Sequence, residues 1–496
     1  MKVPESLQEL TELSQRIHTY NSILTLLHWD QETYMPPGGI GARSQQIAEL
    51  SHLIHEEKTS KKFHACLEKL AHVKHLSREQ EAMHREWLRE WERATKLPAS
   101  FVKTYSQVTS EASQIWSTAK KENNYKLFAP FLSKILKLAR EKAAILGFSE
   151  HPYDALLESY EPCMTTKRVA LIFKELKEEL VLLLGKVGKK SQVDNSFLKK
   201  KVDEKKQHKI SLGLLEKLPL DHASSRLDLS AHPFSLALHP TDSRITTRFL
   251  PHSFLSNIFS ILHEVGHSLY EMGLPSERWG TPLGEPVSLT IHESQSRWWE
   301  TLIGRSLPFW KFYYPSLRTQ LPFLKRVPLE RFYSAMHTVT PSFIRVEADE
   351  VTYCLHVILR FEIEQLLISD QLQVADLPEA WNHKMKELLG IVPPTDSQGC
   401  LQDIHWSLGD FGYFPTYALG NLAAAQFFAT FAKAHPDWEK RVAVGELGFI
   451  RDWLKENIHR WGKIYNTDQL IKRVTDKPLS PTAYCHYLKN KYTQTT

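Results

Sequence analysis

The chain is poor in glycine, with 20 glycines among 496 residues. An average chain holds roughly 7% glycine, and the long stretches between the glycines here are rich in leucine, glutamate, lysine and alanine. A fold made of many tight turns and short strands needs more glycine than this. The composition therefore predicts a mainly helical protein.

Cysteine is also scarce, and long apolar runs are absent. The cysteines are odd in number, far apart and never spaced as a CxxC pair, which argues against a disulfide framework and for a reducing compartment. No apolar run reaches 18 residues, so we expect no transmembrane helix and no membrane partner. The first residues lack the apolar segment of a signal peptide, and a cytoplasmic protein is expected. The five cysteines are Cys66, Cys163, Cys354, Cys400 and Cys485.

Charge of one sign is not in large excess. The formal net charge is +5, and the shares of hydrophobic and charged residues, 42% and 24%, are ordinary. Acidic residues interrupt the one lysine-rich stretch, so we expect a solvated surface and no nucleic-acid partner. The lysines of that stretch are Lys186, Lys189, Lys190, Lys199, Lys200, Lys201, Lys205, Lys206 and Lys209.

The pattern along the chain predicts helices on both sides of a short β-rich region. Apolar residues recur at helical spacing in the first 30 residues and in later stretches, with a turn at residues 36–39. Two short strands are predicted, at Phe234 to Leu238 and Arg244 to Phe249. We expect one domain of residues 1–496. Its first part, about residues 1–220, is expected to be helical, and its second part covers about residues 221–496.

The strongest local signal is the HExxH pattern at His263 to His267. Residues four apart lie on one face of a helix, so two imidazoles at this spacing can bind one Zn²⁺. Glu264 would then lie beside the metal, where it can take a proton from a bound water and pass it to the leaving amine. The surrounding sequence predicts a helix that Ser253 caps and that ends near Gly273.

Glu293 is the expected third ligand. A catalytic zinc usually takes three protein ligands and leaves a fourth position to water. The next predicted helix runs from about Pro286 to Gly304, and Glu293 lies within it next to apolar residues. Burying that carboxylate is costly without a partner charge, which a metal supplies. The predicted metal ligands are His263, His267 and Glu293.

Further motifs occur in order around these residues. Together with HExxH and the HESQS run that starts at His292, they resemble the M32 metallocarboxypeptidases, also called the thermostable carboxypeptidase 1 or Taq type, over about residues 5–490. The motifs are WDQETYMPPG at Trp29 to Gly38, HPF at His232 to Phe234, DSRIT at Asp242 to Thr246, IRVEAD at Ile344 to Asp349 and GCLQDIHW at Gly399 to Trp406.

The resemblance implies a mainly α, zincin-like peptidase fold with a deep active-site groove and a small β-sheet beside it. It also implies that the helical part, about residues 1–220, includes lid-like helices and that the part of about residues 221–496 is zinc-binding and catalytic. It implies a homodimer that removes single residues from peptide C-termini, with broad side-chain preference and poor action on proline. It also implies one Zn²⁺ per subunit, for which Co²⁺ can substitute. The chain departs from the family pattern at Leu238 to Thr241 and at Cys354, which leaves the local shape of the groove open.

Other side chains are candidates for binding substrate. A free C-terminal carboxylate suits the planar guanidinium of arginine, and Arg345 and Arg244 lie in motifs that the resemblance places at one end of the groove. The oxyanion needs a donor besides the metal. Tyr417 and His405 are the main candidates and Tyr413 a weaker one, because they lie in a turn-rich, aromatic segment.

Two other functions remain open from sequence. An endo-acting zinc oligopeptidase would carry the same HExxH and third glutamate. A non-catalytic peptide-binding protein could retain the scaffold, although four intact residues of the centre argue against it.

Overall fold

The computed structural model describes residues 4–188 and 193–494, and most of them are helical. The helices before the sheet are α1 (Glu5–Thr33), α2 (Ile40–Lys58), α3 (Lys61–Ala71), α4 (Arg78–Lys96), α5 (Ala99–Glu122), α6 (Tyr125–Leu146), α7 (Pro152–Leu157), α8 (Thr166–Val187) and α9 (Glu204–Leu215). The helices after it are α10 (Phe254–Gly273), α11 (Leu289–Arg297), α12 (Leu307–Gln320), α13 (Leu329–Met336), α14 (Tyr353–Ile368), α15 (Leu377–Leu389), α16 (Pro415–Ala434), α17 (Trp438–Ala443), α18 (Gly448–Asn457), α19 (Thr467–Thr475) and α20 (Thr482–Gln494). The prediction of a mainly helical fold is confirmed.

The small predicted sheet is present between α9 and α10. Its strands are β1 (Ser225–Leu229), β2 (Ser235–His239) and β3 (Asp242–Thr247), in the order β1-β3-β2. β3 pairs in parallel with β1 and antiparallel with β2. The predicted strands were displaced by one or two residues, and β1 was not predicted as a separate strand.

One face of the sheet lies against α10, the helix that carries HExxH. The hydroxyls of Ser243 and Ser268 bond across this interface, and Thr247 donates to Asn257 at 2.9 Å. Side chains alternate along a strand, so Arg244 projects to the opposite face, where its guanidinium lies 4.4 Å from the ring of Trp29 on α1. The sheet thus separates α1 from the HExxH helix.

The central helices are buried nearly all round. In α10, thirteen of twenty residues are buried, and α14 is buried on every face, as expected of helices inside a large core. The apolar cluster around them is continuous from Leu7 on α1 to Tyr492 on α20.

Two details of the predicted helices were wrong. The side chain of Ser253 makes no capping hydrogen bond, although α10 begins directly after it. The following helix begins at Leu289, three residues later than predicted, because the hydroxyl of Ser288 accepts from the N–H of Ile291 and caps it there. A π-helical segment, Trp298–Ile303, continues from α11.

The lysine-rich stretch is a solvated surface where the structure describes it. Lys189 and Lys190 lie outside the described residues. Those described are exposed, which confirms the prediction for Lys186, Lys199, Lys200, Lys201, Lys205, Lys206 and Lys209. No helix in the described ranges combines the length and the apolar character that crossing a bilayer requires.

Candidate metal centre and active site

The three predicted metal ligands converge. The Nε2 atoms of His263 and His267 are 3.2 Å apart, and each lies 3.7 Å from Oε2 of Glu293. Zinc bonds of about 2.0–2.1 Å in tetrahedral geometry place ligand atoms roughly 3.3 Å apart. The donor set and its spacing therefore fit a tetrahedral divalent ion with one open position. Within 4–188 and 193–494, these residues form the one group of this kind with the spacing of a metal site.

Two glycines allow the helices of the site to approach closely. A Cβ at Gly266, inside HExxH, would lie 2.5 Å from the carbonyl oxygen of Gln295 and 2.6 Å from Cα of Ser296 on α11. A Cβ at Gly420 on α16 would lie 2.6 Å from Cγ of Glu293. Helix α11 is thus held between α10, which meets its backbone, and α16, which meets the side chain of Glu293, and this fixes Glu293 opposite the two histidines.

The outer nitrogen of His263 is held by a carboxylate. Its Nδ1 lies 2.9 Å from Oε2 of Glu300, so Nδ1 donates to this carboxylate and Nε2 is the nitrogen that faces the ligand cluster. Arg297 and Arg305 contact the same carboxylate at 3.1 and 3.4 Å. These cations hold the pKa of Glu300 well below its usual range despite burial.

His267 is held by another histidine. Its Nδ1 lies 2.6 Å from Nδ1 of His292, and Nε2 of His292 lies 2.9 Å from Oε1 of Glu271. Burial, together with the neighbouring imidazole of His292, keeps the pKa of His267 well below its usual value. His267 is therefore neutral, as a metal ligand must be.

Glu293 presents one oxygen to the cluster and gives the other to an arginine. Arg297, one turn further along the chain, donates from Nε to Oε1 at 2.7 Å, and Ser296 donates to Oε2 at 3.1 Å. Arg297 also contacts Glu300, so a single cation orients two of the carboxylates around the site. Sequence reasoning missed Arg297 and Glu300. Their spacing of four and seven residues from Glu293 places them on its face of the helix and was the available signal.

Glu264 is buried and follows His263 directly on α10. Burial, together with the charge of Glu293, raises the pKa of Glu264 to about 7, although His263 and a hydrogen bond with Ser235 of β2 lower it in part. A carboxyl group with a pKa near neutrality can accept and return a proton at physiological pH.

Arg345, His405 and Tyr417 form a second group. Nε and Nη2 of Arg345 donate to Oδ1 of Asp403 at 3.1 and 3.0 Å, and its guanidinium lies 4.8 Å from the ring of Tyr417. Nε2 of His405 lies 3.2 Å from the hydroxyl of Tyr417. Burial lowers the pKa of His405 to about 4, which leaves this imidazole uncharged.

The second group adjoins the metal centre through Tyr353. The hydroxyl of Tyr353 accepts from Nη1 of Arg345 at 3.2 Å, and the guanidinium of Arg297 lies 4.4 Å from the Tyr353 ring. Since Arg297 also holds Glu293, Tyr353 lies between Arg345 and the arginine that contacts Glu293. Tyr413 borders the same region, with its ring 5.2 Å from that of Tyr417.

The structure does not bring Arg244 into this cluster. Its guanidinium makes two 3.0 Å hydrogen bonds to Asp242 on the sheet face that Trp29 covers. Of the two arginines predicted to hold the substrate carboxylate, Arg345 alone lies next to the metal centre.

Comparison with known proteins identifies the family of the chain. The family model described as Carboxypeptidase Taq (M32) metallopeptidase matches residues 9–492. The chain is 41% identical to thermostable carboxypeptidase 1 of Thermus thermophilus and 39% identical to that of Pyrococcus furiosus, over 98% of each protein. The solved structure of the Pyrococcus furiosus carboxypeptidase superposes with a TM-score of 0.97 over 99% of both chains, at 39% identity.

A more distant structure, metallocarboxypeptidase 1 of Trypanosoma cruzi, superposes with a TM-score of 0.92 at 34% identity and covers 98% of this chain and 99% of that one. Likeness of sequence and of structure thus extends over nearly the whole chain. The chain belongs to the M32 family and is a metallocarboxypeptidase, with peptides as its substrates.

Proposed function

We propose that the protein is a zinc-dependent carboxypeptidase that removes single residues from peptide C-termini with broad side-chain preference. The observation that carries the proposal is the convergence of His263, His267 and Glu293 at spacings that suit one tetrahedral ion per subunit. Co²⁺ accepts the same nitrogen and oxygen donors and is expected to substitute. When bound, the ion polarises the scissile carbonyl and acidifies the attacking water.

Glu264 acts as the general base. It takes a proton from the attacking water and returns it to the leaving nitrogen when the peptide bond breaks. The pKa of about 7 supports both steps, because the group is then neither a permanent anion nor a permanent acid at neutral pH. Ser235, on the edge strand beside it, orients the carboxylate.

Tyr417 and His405 stabilise the negative charge that develops on the carbonyl oxygen. The phenol of Tyr417 is an O–H donor next to Glu293 and Arg345, and the uncharged His405 holds the phenolic oxygen at 3.2 Å. Buried donors aimed at a developing charge act more strongly than the same donors in water.

Arg345 binds the free C-terminal carboxylate of the substrate. Asp403 is shared between two buried guanidinium groups, because Arg360 also donates to it at 2.7 and 2.5 Å. Two cations around one anion leave a net positive charge beside the metal centre. An incoming carboxylate balances that charge, which favours a peptide end over a peptide interior. Arg244, paired with Asp242, is the second candidate.

Product analysis tests the proposal. An N-terminally blocked peptide is incubated with the Zn²⁺-loaded enzyme and, separately, with Glu264→Gln loaded with the same metal. We expect a ladder of single C-terminal losses that chelation and the substitution both abolish. Internal cuts would identify an oligopeptidase, and no cleavage by the demonstrably metal-loaded enzyme would contradict the catalytic proposal.

We also propose a single catalytic domain, a homodimer and a cytoplasmic location. The continuous apolar core from α1 to α20 supports one domain. All five cysteines are free thiols, which suits a reducing compartment. The mass of the particle in solution tests the dimer, for which a monomer of 57.4 kDa is the reference.

A further inference from the structure

We propose that His292 is a positioning residue for the metal. Oriented by Glu271, it accepts the Nδ1 proton of His267 and so presents the Nε2 lone pair of His267 to the ion. The inference rests on the proposed metal site and adds to it a Glu271–His292–His267 relay.

The relay is a chain of two short contacts. Nδ1 of His292 lies 2.6 Å from Nδ1 of His267, and the two rings are 4.5 Å apart at an interplanar angle of 30°. On its other side, Nε2 of His292 lies 2.9 Å from Oε1 of Glu271. Both ring nitrogens of His292 are therefore engaged, one by a metal ligand and one by a carboxylate.

Only one arrangement of protons satisfies these contacts in the metal-bound site. His267 must offer the lone pair of Nε2, so its proton is on Nδ1. That proton needs an acceptor, which makes Nδ1 of His292 the unprotonated nitrogen. The proton of His292 is then on Nε2 and is donated to Glu271, which as a carboxylate only accepts.

The two histidine ligands are thus supported in different ways. His263 donates directly to Glu300, a buried carboxylate that two arginines neutralise. His267 donates to another imidazole, and the carboxylate of Glu271 lies one ring further from the ion. Glu264, Glu293 and Glu300 already place three carboxyl groups around the site. An imidazole acceptor behind His267 orients that ligand without adding a fourth carboxyl group.

Adjacent residues of α11 supply both a proposed metal ligand and the residue that supports another ligand. Glu293 points to the ion, and His292, about 100° away around the helix, reaches behind His267. This works because Gly266 lets α10 and α11 meet at backbone contact. The same turn of helix therefore delivers a metal ligand and the support of another ligand.

Metal affinity is the appropriate measurement, with His292→Asn and His292→Leu as the pair of variants. Asn places its Oδ1 acceptor near the position of Nδ1, whereas Leu has similar bulk and no acceptor. Zn²⁺ and Co²⁺ are each titrated into the metal-free proteins. We expect His292→Leu to weaken binding about 10- to 100-fold, the usual effect of losing such a partner, and His292→Asn to stay within about 3-fold of wild type.

Glu271→Leu supplies a second test if His292→Leu fails to fold. It removes the acceptor of the His292 proton and leaves His267 in contact with the ring, so an intermediate loss of metal affinity is expected. Wild-type affinity in His292→Leu or in Glu271→Leu would overturn the proposal. Equal losses in the Asn and Leu variants at position 292 would also overturn it, because packing would then be the cause.

The readout is binding, so failure of this inference is distinct from failure of the proposed function. If the affinity pattern is as expected and wild type cleaves no peptide, the relay stands and the catalytic proposal falls. If wild type cleaves peptides and His292→Leu binds metal normally, the relay alone falls.

Discussion

Arg345 is a buried cation that Asp403 does not fully neutralise, because Arg360 shares the same carboxylate. We predict that Arg345→Gln lowers kcat/KM for peptides with a free C-terminus by at least about 30-fold, since a charge-assisted, bidentate contact contributes about 2 kcal/mol or more. Steady-state kinetics check the effect.

Arg244→Gln is the matched control, and it should change kcat/KM much less. A larger loss in Arg244→Gln than in Arg345→Gln would reverse the assignment of the carboxylate-binding arginine. Thermal unfolding of both variants separates a binding defect from the loss of a buried ion pair.

Tyr417 is the proposed donor to the charge that develops on the carbonyl oxygen in the transition state. We predict that Tyr417→Phe lowers kcat by about 10²-fold or more and changes KM little, because a donor to the oxyanion acts mainly in the transition state. Tyr413→Phe is the matched control, since its ring borders the same region. Equal kinetics for Tyr417→Phe and wild type would exclude this donor.

Residues whose roles depend on local spacing were predictable from sequence, and residues whose roles depend on distant partners were not. Helical periodicity was enough to place His263 and His267 on one face, with Glu264 beside them. Asp403, the partner of Arg345, is 58 residues away in sequence, and no local pattern links the two. Arg360, buried and bound to Asp403, had no local signal at all.

At the scale of elements, the site depends on the close approach of α10 and α16 to α11. We predict that Gly266→Ala and Gly420→Ala each destabilise the protein by about 1–3 kcal/mol or more and weaken metal binding, because the added methyl groups would lie about 2.5 Å from atoms of α11. Chemical denaturation and metal titration measure the two effects.

Gly185→Ala on α8 is the control for helix propensity. A Cβ there would have nothing within 4 Å, so alanine should stabilise the helix by about 0.5–1 kcal/mol. If Gly266→Ala behaved like Gly185→Ala, the tight contact between α10 and α11 would be contradicted.

The sequence predicted most helices and the place of the sheet, because glycine, proline and apolar spacing mark them locally. It did not predict the start of α11 correctly, because Ser288 caps the helix two residues after the predicted start at Pro286. It also could not reveal the contact of Gly420 with Glu293, because the two residues lie on helices that are far apart in sequence and meet only in the folded protein.

At the scale of the whole molecule, Glu161 joins three parts of the chain. It accepts from the N–H of Thr290 at the start of α11, at 3.2 Å, and from the hydroxyl of Thr467 on α19. Burial raises the pKa of Glu161 to about 7, although these hydrogen bonds lower it in part. The carboxyl group is therefore protonated more readily in the folded protein than in the unfolded chain, where its pKa is about 4.3.

The sign of the pH effect follows from that difference. As pH rises from about 4.3 to 7, the unfolded chain releases this proton before the folded protein does. The free energy of unfolding of the wild type therefore falls across that interval, and the loss due to Glu161 stays constant above it. Gln has no such titration. We predict that the free energy of unfolding of Glu161→Gln, relative to wild type, increases by up to about 3 kcal/mol between pH 4.5 and 7.5.

Denaturant unfolding of both proteins at several pH values checks this prediction. All other groups titrate alike in the two proteins, so the difference isolates Glu161. A difference that is independent of pH, or one that shrinks as pH rises, would contradict it.

Helix α2 has nineteen residues, and the structure describes all of them, yet none is buried. Local opening is least costly where little apolar surface is covered, so the amide hydrogens of α2 should exchange with solvent deuterium long before those of α10 or α14. Helix α2 follows α1, whose far end contacts the sheet through Trp29. The molecule therefore has a slowly exchanging interior that holds the metal ligands and a rapidly exchanging outer helix joined to it through α1.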